Sequence, residues 1–246
     1  MRTQDKTRSP LGKRIFTNRA ERLYVRSLRQ VAAQVGRMIA AFPPADPSAL
    51  PTIEQMLAKY AEALAPWAQV TASKMIEEVN QRDLAQWRLI GSEMSAEIRR
   101  EIQTAPTGEA MRKLMEQQVS LIQSIPKDAA QRVHDLTIKS LEDSSRASEI
   151  AKEIMRSGEV TQSRATLIAR TEVSRAATSL TQARAEHIGS EGYVWESAHD
   201  GTVRPSHRAM RGKFVAWSDP PTLDGMTGHA GCLPNCRCWA RVVLPE

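Results

Sequence analysis

Thr161-Gln-Ser-Arg-Ala-Thr-Leu-Ile-Ala-Arg-Thr-Glu-Val-Ser-Arg-Ala-Ala177 is the stretch that decides the fold of this 246-residue chain. Ala165, Ile168, Ala169, Val173, Ala176, Ala177, Leu180 and Ala183 recur on one narrow helical stripe, and small side chains there let a second element approach closely. Arg164, Arg170, Arg175 and Arg184 fall on other faces, with Glu172 placed for an i,i+3 pair with Arg175. Thr161 or Ser163 is the expected cap, and the helix is expected to end near Gly189 and Gly192. Beyond it the texture changes. Tyr193–Ala198, Lys213–Trp217 and Trp239–Leu244 are aromatic and β-branched runs bounded by Gly, Pro and Asp, which predicts three short strands.

Upstream of this unit the chain reads as helix. The spacing predicts one over Arg14–Ala41, with Ile15, Leu23, Leu28, Val31, Val35 and Met38 on its apolar side. Phe42-Pro-Pro-Ala-Asp-Pro-Ser-Ala-Leu-Pro51 stops it and reads as a linker. A long helical zone follows over Ile53–Gln103, interrupted at Pro66, and then a helix over Ala110–Gln123. Ser124-Ile-Pro-Lys-Asp is expected to start another, running to about Leu141; Ser145 is expected to cap Arg146–Arg156, and Gly158 to close it in a left-handed conformation. The fold class predicted is α+β: a mostly helical N-terminal part, then a small C-terminal domain of one long helix and a short antiparallel sheet. The divisions expected are 1–42, a basic arm and helix; 43–123, a helical body; and 124–246, the C-terminal domain.

Charge is uneven. Residues 1–37 hold ten Lys or Arg against Asp5 and Glu21, so this stretch carries +8 and the remainder −2 of the net +6. Arg14, Arg19, Arg22, Arg26 and Arg29 make the first helix basic, which suits either phosphate contacts with nucleic acid or docking on an acidic partner. No apolar run of about 18 residues occurs, so no transmembrane helix is predicted. The N-terminus also lacks the apolar stretch of a signal peptide, and a soluble protein made in the cytoplasm is expected.

All three cysteines lie within Cys232-Leu-Pro-Asn-Cys236-Arg-Cys238. An odd count argues against a closed disulfide framework and for a reducing compartment. With His207, or with His229 or His199, they would make a four-ligand structural zinc site; three reduced, partly buried thiols are the alternative. Asp200-Gly-Thr-Val-Arg204-Pro-Ser-His207 gathers an acid, a cation and a base. That trio suits nuclease-like acid/base chemistry on a phosphodiester, or simply a turn with Asp200 bonding nearby amides and Arg204 bracing a loop. The chain contains no phosphate-cradling Gly-rich loop, G-x-S-x-G or H-E-x-x-H pattern.

Arg164-Ala-x-x-Ile-Ala-Arg170-Thr-Glu172, then Trp195, then Asp200-Gly-Thr-Val-Arg204-Pro-Ser-His207 and Gly212, then Asn235-Cys236-Arg237-Cys238-Trp239 together resemble the Mu F-type phage head morphogenesis family, the minor head proteins. The resemblance covers roughly the last 85 to 120 residues, the length of a small domain. It implies a non-enzymatic structural component of head assembly, placed beside the portal protein and the major capsid or scaffold proteins. It also implies non-specific contact with packaged double-stranded DNA, a part in DNA packaging or ejection, and no membrane partner during assembly. The expected locations are the host cytoplasm during assembly and then the head interior or portal vertex. Many relatives carry a cysteine just before the position of His207, where this chain has Ser206, and that Cys-rich pattern suggests zinc. Some relatives continue into a toxin domain; with Glu246 two residues past the last predicted strand, none is expected here. Arg164, Arg170, Glu172, Trp195, Asp200, Arg204, His207, Asn235 and Arg237 are then expected to brace the fold. Two rival readings follow from the residues: a nuclease-like enzyme using Asp200, Arg204 and His207, and a zinc-stabilised DNA-binding protein.

Overall fold

The computed structural model describes residues 17–91, 96–142 and 147–245. The helices are α1 (Asn18–Ala40), α2 (Leu50–Ala63), α3 (Ala65–Gly91), α4 (Ala96–Thr104), α5 (Gly108–Glu142), α6 (Ala147–Met155), α7 (Ser157–His187) and the short α8 (Pro205–Ala209). The strands are β1 (Gly192–Ser197), β2 (Phe214–Ala216), β3 (Thr222–Leu223), β4 (Met226–Thr227) and β5 (Cys238–Val242). The α+β class holds, and the three expected strands lie within two residues of their expected bounds. Two compact units form. One takes the described parts of Met1–Glu21, Met75–Leu114 and Arg170–Glu246, the other Arg22–Lys74 and Met115–Ala169.

The second unit is helical. Its α1 stripe runs through Tyr24, Leu28, Val31, Val35 and Ile39, all buried, whereas Leu23 is half exposed; the apolar face thus includes an aromatic that the expected stripe passed over. Tyr24 can be buried because its hydroxyl donates to the buried Gln118 Oε1 at 2.9 Å. The expected linker is short: a 3-10 turn at Pro47–Ala49, capped by Asp46, leads straight into α2. The interruption near Pro66 is slight, since Leu64 N–H donates to Tyr60 O and Ala68 N–H to Leu64 O across it. Pro66 stands in the first turn of α3, where its missing donor is not needed.

Three expectations fail in this unit. Ser124-Ile-Pro does not restart a helix; α5 runs through Pro126. Proline inside a helix costs roughly 3 kcal/mol, but Ile122, Ile125, Ala129 and Val133 share one buried face across it, and each large apolar side chain buried contributes about 1.5–3 kcal/mol. Gly158 does not close α6. It lies inside α7, where a Cβ would meet the Cα of Gly36 at 3.2 Å, so its role is close approach of α1 and α7. Thr161 does not cap α7 but sits within it, its hydroxyl donating to Ser157 O at 2.6 Å. Ile15, Arg14 and Ser145 fall outside the described residues.

The first unit holds the sheet, in order β2-β1-β5, both pairs antiparallel. Tyr193, Trp195, Val215, Trp217, Cys236, Cys238 and Val242 form one buried cluster with Trp87, Ile90 and Ile102. Within this unit α3 and α7 share a buried polar contact. Asp83 accepts from Arg184 and, at 2.5 Å, from the Thr181 hydroxyl, while Arg184 Nη2 donates to Asn80 Oδ1 at 2.6 Å. Asp83 is fully buried and the Arg184 side chain 4% exposed.

Burial pushes the Asp83 carboxyl up from 3.8 to about 6, against the pull of Arg184 and Thr181. A folded-state pKa above the unfolded one means that this group's contribution to stability is fully present below about pH 4 and is lost as pH rises through about 6. The unfolding free energy of the native sequence relative to Asp83→Asn is therefore expected to fall by roughly 3 kcal/mol across that window. Urea denaturation of both proteins at a series of pH values measures this.

Candidate functional site

The candidate site is assembled on α7. Thr171, Arg175 and Thr178 lie on one face at successive turns and hold the cysteine loop by its backbone. Asn235 N–H donates to Thr171 Oγ1 at 3.2 Å, Arg175 Nη2 donates to Cys232 O at 3.0 Å, and Thr178 Oγ1 donates to Ala230 O at 2.8 Å. From the sheet side, the Tyr193 hydroxyl accepts from Ala230 N–H at 3.0 Å. Buried backbone needs such partners. Two residues of the loop take left-handed backbone, Gly231 at φ 90° and Asn235 at φ 51°. At Gly231 a Cβ would also stand 2.8 Å from Thr178 Oγ1.

That anchoring brings Cys236 and Cys238 to His207 on α8. His207 Nδ1 is 3.3 Å from Cys236 Sγ and 3.6 Å from Cys238 Sγ, and the three donor atoms all lie within 4.8 Å of one another. His207 is 1% exposed, Cys236 8% and Cys238 2%. The Trp195 ring stands edge-on to the imidazole at 5.8 Å between centroids. Cys238 donates to Cys236, which lowers the Cys236 pKa toward the thiolate and raises that of Cys238. On tetrahedral zinc, a sulfur and a nitrogen ligand stand about 3.5 Å apart, so these separations suit a soft divalent metal.

Cys232 is outside this cluster. Its thiol is pushed up to about 12, chiefly by burial. His229 Nδ1 faces the Tyr193 hydroxyl at 3.3 Å, and His199 is exposed. All three cysteines are free thiols.

The acid, cation and base of the 200–207 segment point to different tasks. Asp200 accepts from the Thr202 amide and hydroxyl at 3.1 and 2.7 Å and pairs with Arg237 at 2.8 Å. Those hydrogen bonds from Thr202 hold its carboxyl below its usual range. Arg204 Nη2 donates to Pro234 O at 2.9 Å, bracing the cysteine loop. Arg237 also reaches Thr202 Oγ1. Glu172, buried, pairs with Arg175 at 3.0 Å; Arg170 pairs with Glu21 at 3.4 Å; and Arg164 bonds Ser124 at 3.1 Å and pairs with Asp128. Arg19, Arg22, Arg26 and Arg29 are exposed on α1.

The sequence reading missed Asp224. It sits at φ 54° beside Gly225 at φ 76°, in the two-residue turn joining β3 to β4. An Asp-Gly pair flanked by Thr-Leu and Met-Thr is a hairpin signal that could have found it. Its carboxylate accepts from Ser206 Oγ at 2.8 Å and lies 3.9 Å from His207 Nε2.

The family described as Phage Mu protein F like protein matches residues 131–241. An uncharacterized protein of Haemophilus influenzae is 33% identical over 120 residues, which cover 49% of this chain and 26% of that relative. The chain thus spans about a quarter of the length of that curated relative. No solved structure matches significantly. The resemblance to the Mu F-type family is thus present in the C-terminal region. Among the described residues no helix is long and apolar enough to cross a membrane.

Gly231→Ala is expected to lower stability by about 1–3 kcal/mol through the left-handed backbone, and further through the contact with Thr178. Thermal unfolding checks the loss, and indole fluorescence checks whether the loop opens over Trp195 and Trp217.

Proposed function

We propose that this chain is a non-enzymatic minor head protein of a tailed bacteriophage that acts in head assembly at the portal. The observation that carries the non-enzymatic reading is the burial of the candidate base: His207 is closed off against two sulfurs, while Asp200 is tied to Thr202 and Arg237. A nuclease would need a base and a cation facing a common solvent-open point. The family match over residues 131–241 supports the phage head reading.

Partner contact is assigned to the helical unit. A groove of about 830 Å³ between α3 and α5 is lined by Val70, Lys74, Met115, Glu116, Val119 and Gln123, among others. Val70 is 53% exposed. Apolar centres rimmed by polar groups are the usual form of a helix-accepting surface, and a portal helix is the occupant this reading expects. The exposed arginines of α1 would meet packaged DNA through its phosphates, without sequence preference. Co-sedimentation with the portal protein of the same phage is expected to survive moderate salt in the native sequence and to be lost in Val70→Glu and in Val119→Glu. No association at low salt by a folded protein sinks the portal assignment.

His207, Cys236 and Cys238 would hold a structural zinc ion, which on binding would join α8 to the start of β5. The donor set supplies three of the four ligands that such an ion takes, two sulfurs, one drawn toward the thiolate, and an imidazole nitrogen, all buried together, and leaves the fourth to a water or a partner's donor. Zinc measured after purification under reducing conditions is expected near one equivalent in the native sequence and in Cys232→Ser. It is expected to be lost in Cys236→Ser and Cys238→Ser.

A further inference from the structure

His207 shows a polarity that the cysteines alone do not explain. Its Nδ1 faces both sulfurs, while its Nε2 is buried and has no hydrogen-bond partner among the described residues. An orphaned buried nitrogen has given up its hydration without a replacement and calls for an explanation. The carboxylate of Asp224 stands 3.9 Å from it. That carboxylate is itself aimed: it accepts from Ser206 at 2.8 Å, and Arg204 Nε lies 3.8 Å away. Three residues in and just before the first turn of α8 thus converge on one acidic side chain at the tip of the β3–β4 hairpin.

The geometry points to Asp224 as the positioning carboxylate of His207: from 3.9 Å its charge favours the tautomer with the proton on Nε2, which leaves the Nδ1 lone pair free and directed at Cys236 and Cys238. This rests on the zinc reading above for its purpose, because a metal-ligating histidine is typically oriented by a carboxylate or carbonyl on its other nitrogen. The direction of the imidazole matters. With the proton on Nδ1 instead, the ring would present an N–H to the two sulfurs and could not donate electrons to a metal. The hairpin has a physical reason to carry an acid here, since its turn needs left-handed backbone that Asp tolerates at little cost. A glycine there would make the turn equally well and would leave His207 unoriented.

The test uses the full chain, reduced, with zinc as the probe. Asp224→Gly removes the carboxylate and keeps a residue that accepts φ 54°; Asp224→Asn keeps the shape without the charge. Competition against a chromophoric chelator is expected to show zinc bound about 10- to 100-fold more weakly by Asp224→Gly, with Asp224→Asn between it and the native sequence. Nitrogen-15 shifts of His207 in the metal-free protein are expected to report the Nε2–H tautomer in the native sequence and a mixture in Asp224→Gly. A merely structural hairpin would not move that signature. Zinc bound with unchanged affinity and an unchanged tautomer in Asp224→Gly overturns the role of Asp224 and leaves the metal centre standing. A native protein that takes up no zinc overturns the metal centre, and with it the use assigned to Asp224.

Discussion

Asp83 and Arg184 leave water together, and within their unit that shared desolvation constrains both helices that carry them. Burial outweighs the attraction of Arg184 and the hydrogen bonds at the Asp83 carboxylate, which is why its pKa rises rather than falls. Such a pair adds little net stability. Its consequence is specificity: a slip of α3 against α7 by one residue would leave a buried charge unpaired, at roughly 3–5 kcal/mol. Thr181 and Asn80 complete the contact, so each charged group has more than one partner. The register of α7 is therefore set before any part of the cysteine loop is considered.

That register decides where the loop can sit. Thr171, Arg175 and Thr178 repeat at a helical spacing and offer two hydroxyls and one guanidinium to the loop backbone. Loop backbone is costly to bury unless each polar group is answered, and these side chains answer it from one helix face. Cys236 and Cys238 then meet His207 because Arg204 ties the chain before α8 to Pro234 O, and Arg237 ties the chain after Cys236 back to Thr202 and Asp200. The arginines and acids that the family resemblance singles out here act as clamps. None of these contacts needs a substrate to explain it.

Much of this was legible in the sequence because the signals were periodic or punctuated. The small-residue stripe of α7, its end at Gly189 and the three aromatic strands follow from spacing and turn residues, and the structure places them accordingly. Pro126 misled because a local rule was weighed without the buried face that spans it. Gly158 misled because a glycine that permits close approach looks the same in sequence as one that ends a helix. Asp83 was readable in retrospect: it falls on the stripe of Ile76, Val79, Trp87 and Ile90, where a charge is out of place. Its partner, about a hundred residues later, was not, since nothing local links the two. The cluster of His207 with only two of the three cysteines depended on loop geometry that spacing does not encode.

The extent of the family match and the extent of the packed core differ. The match begins at residue 131, yet Trp87, Ile90 and Ile102 belong to the same buried cluster as Tyr193, Trp195, Trp217 and both site cysteines. A sheet of three strands, of six, three and five residues, has little apolar area of its own, and so small a sheet needs a covering helix to be stable. α7 supplies part of that cover, and the tryptophan and isoleucines from the earlier helical stretch supply more. The helical region before the match is thus not merely a spacer. It contributes buried side chains to the core that surrounds His207, Cys236 and Cys238, so the site's geometry depends on residues that carry no motif.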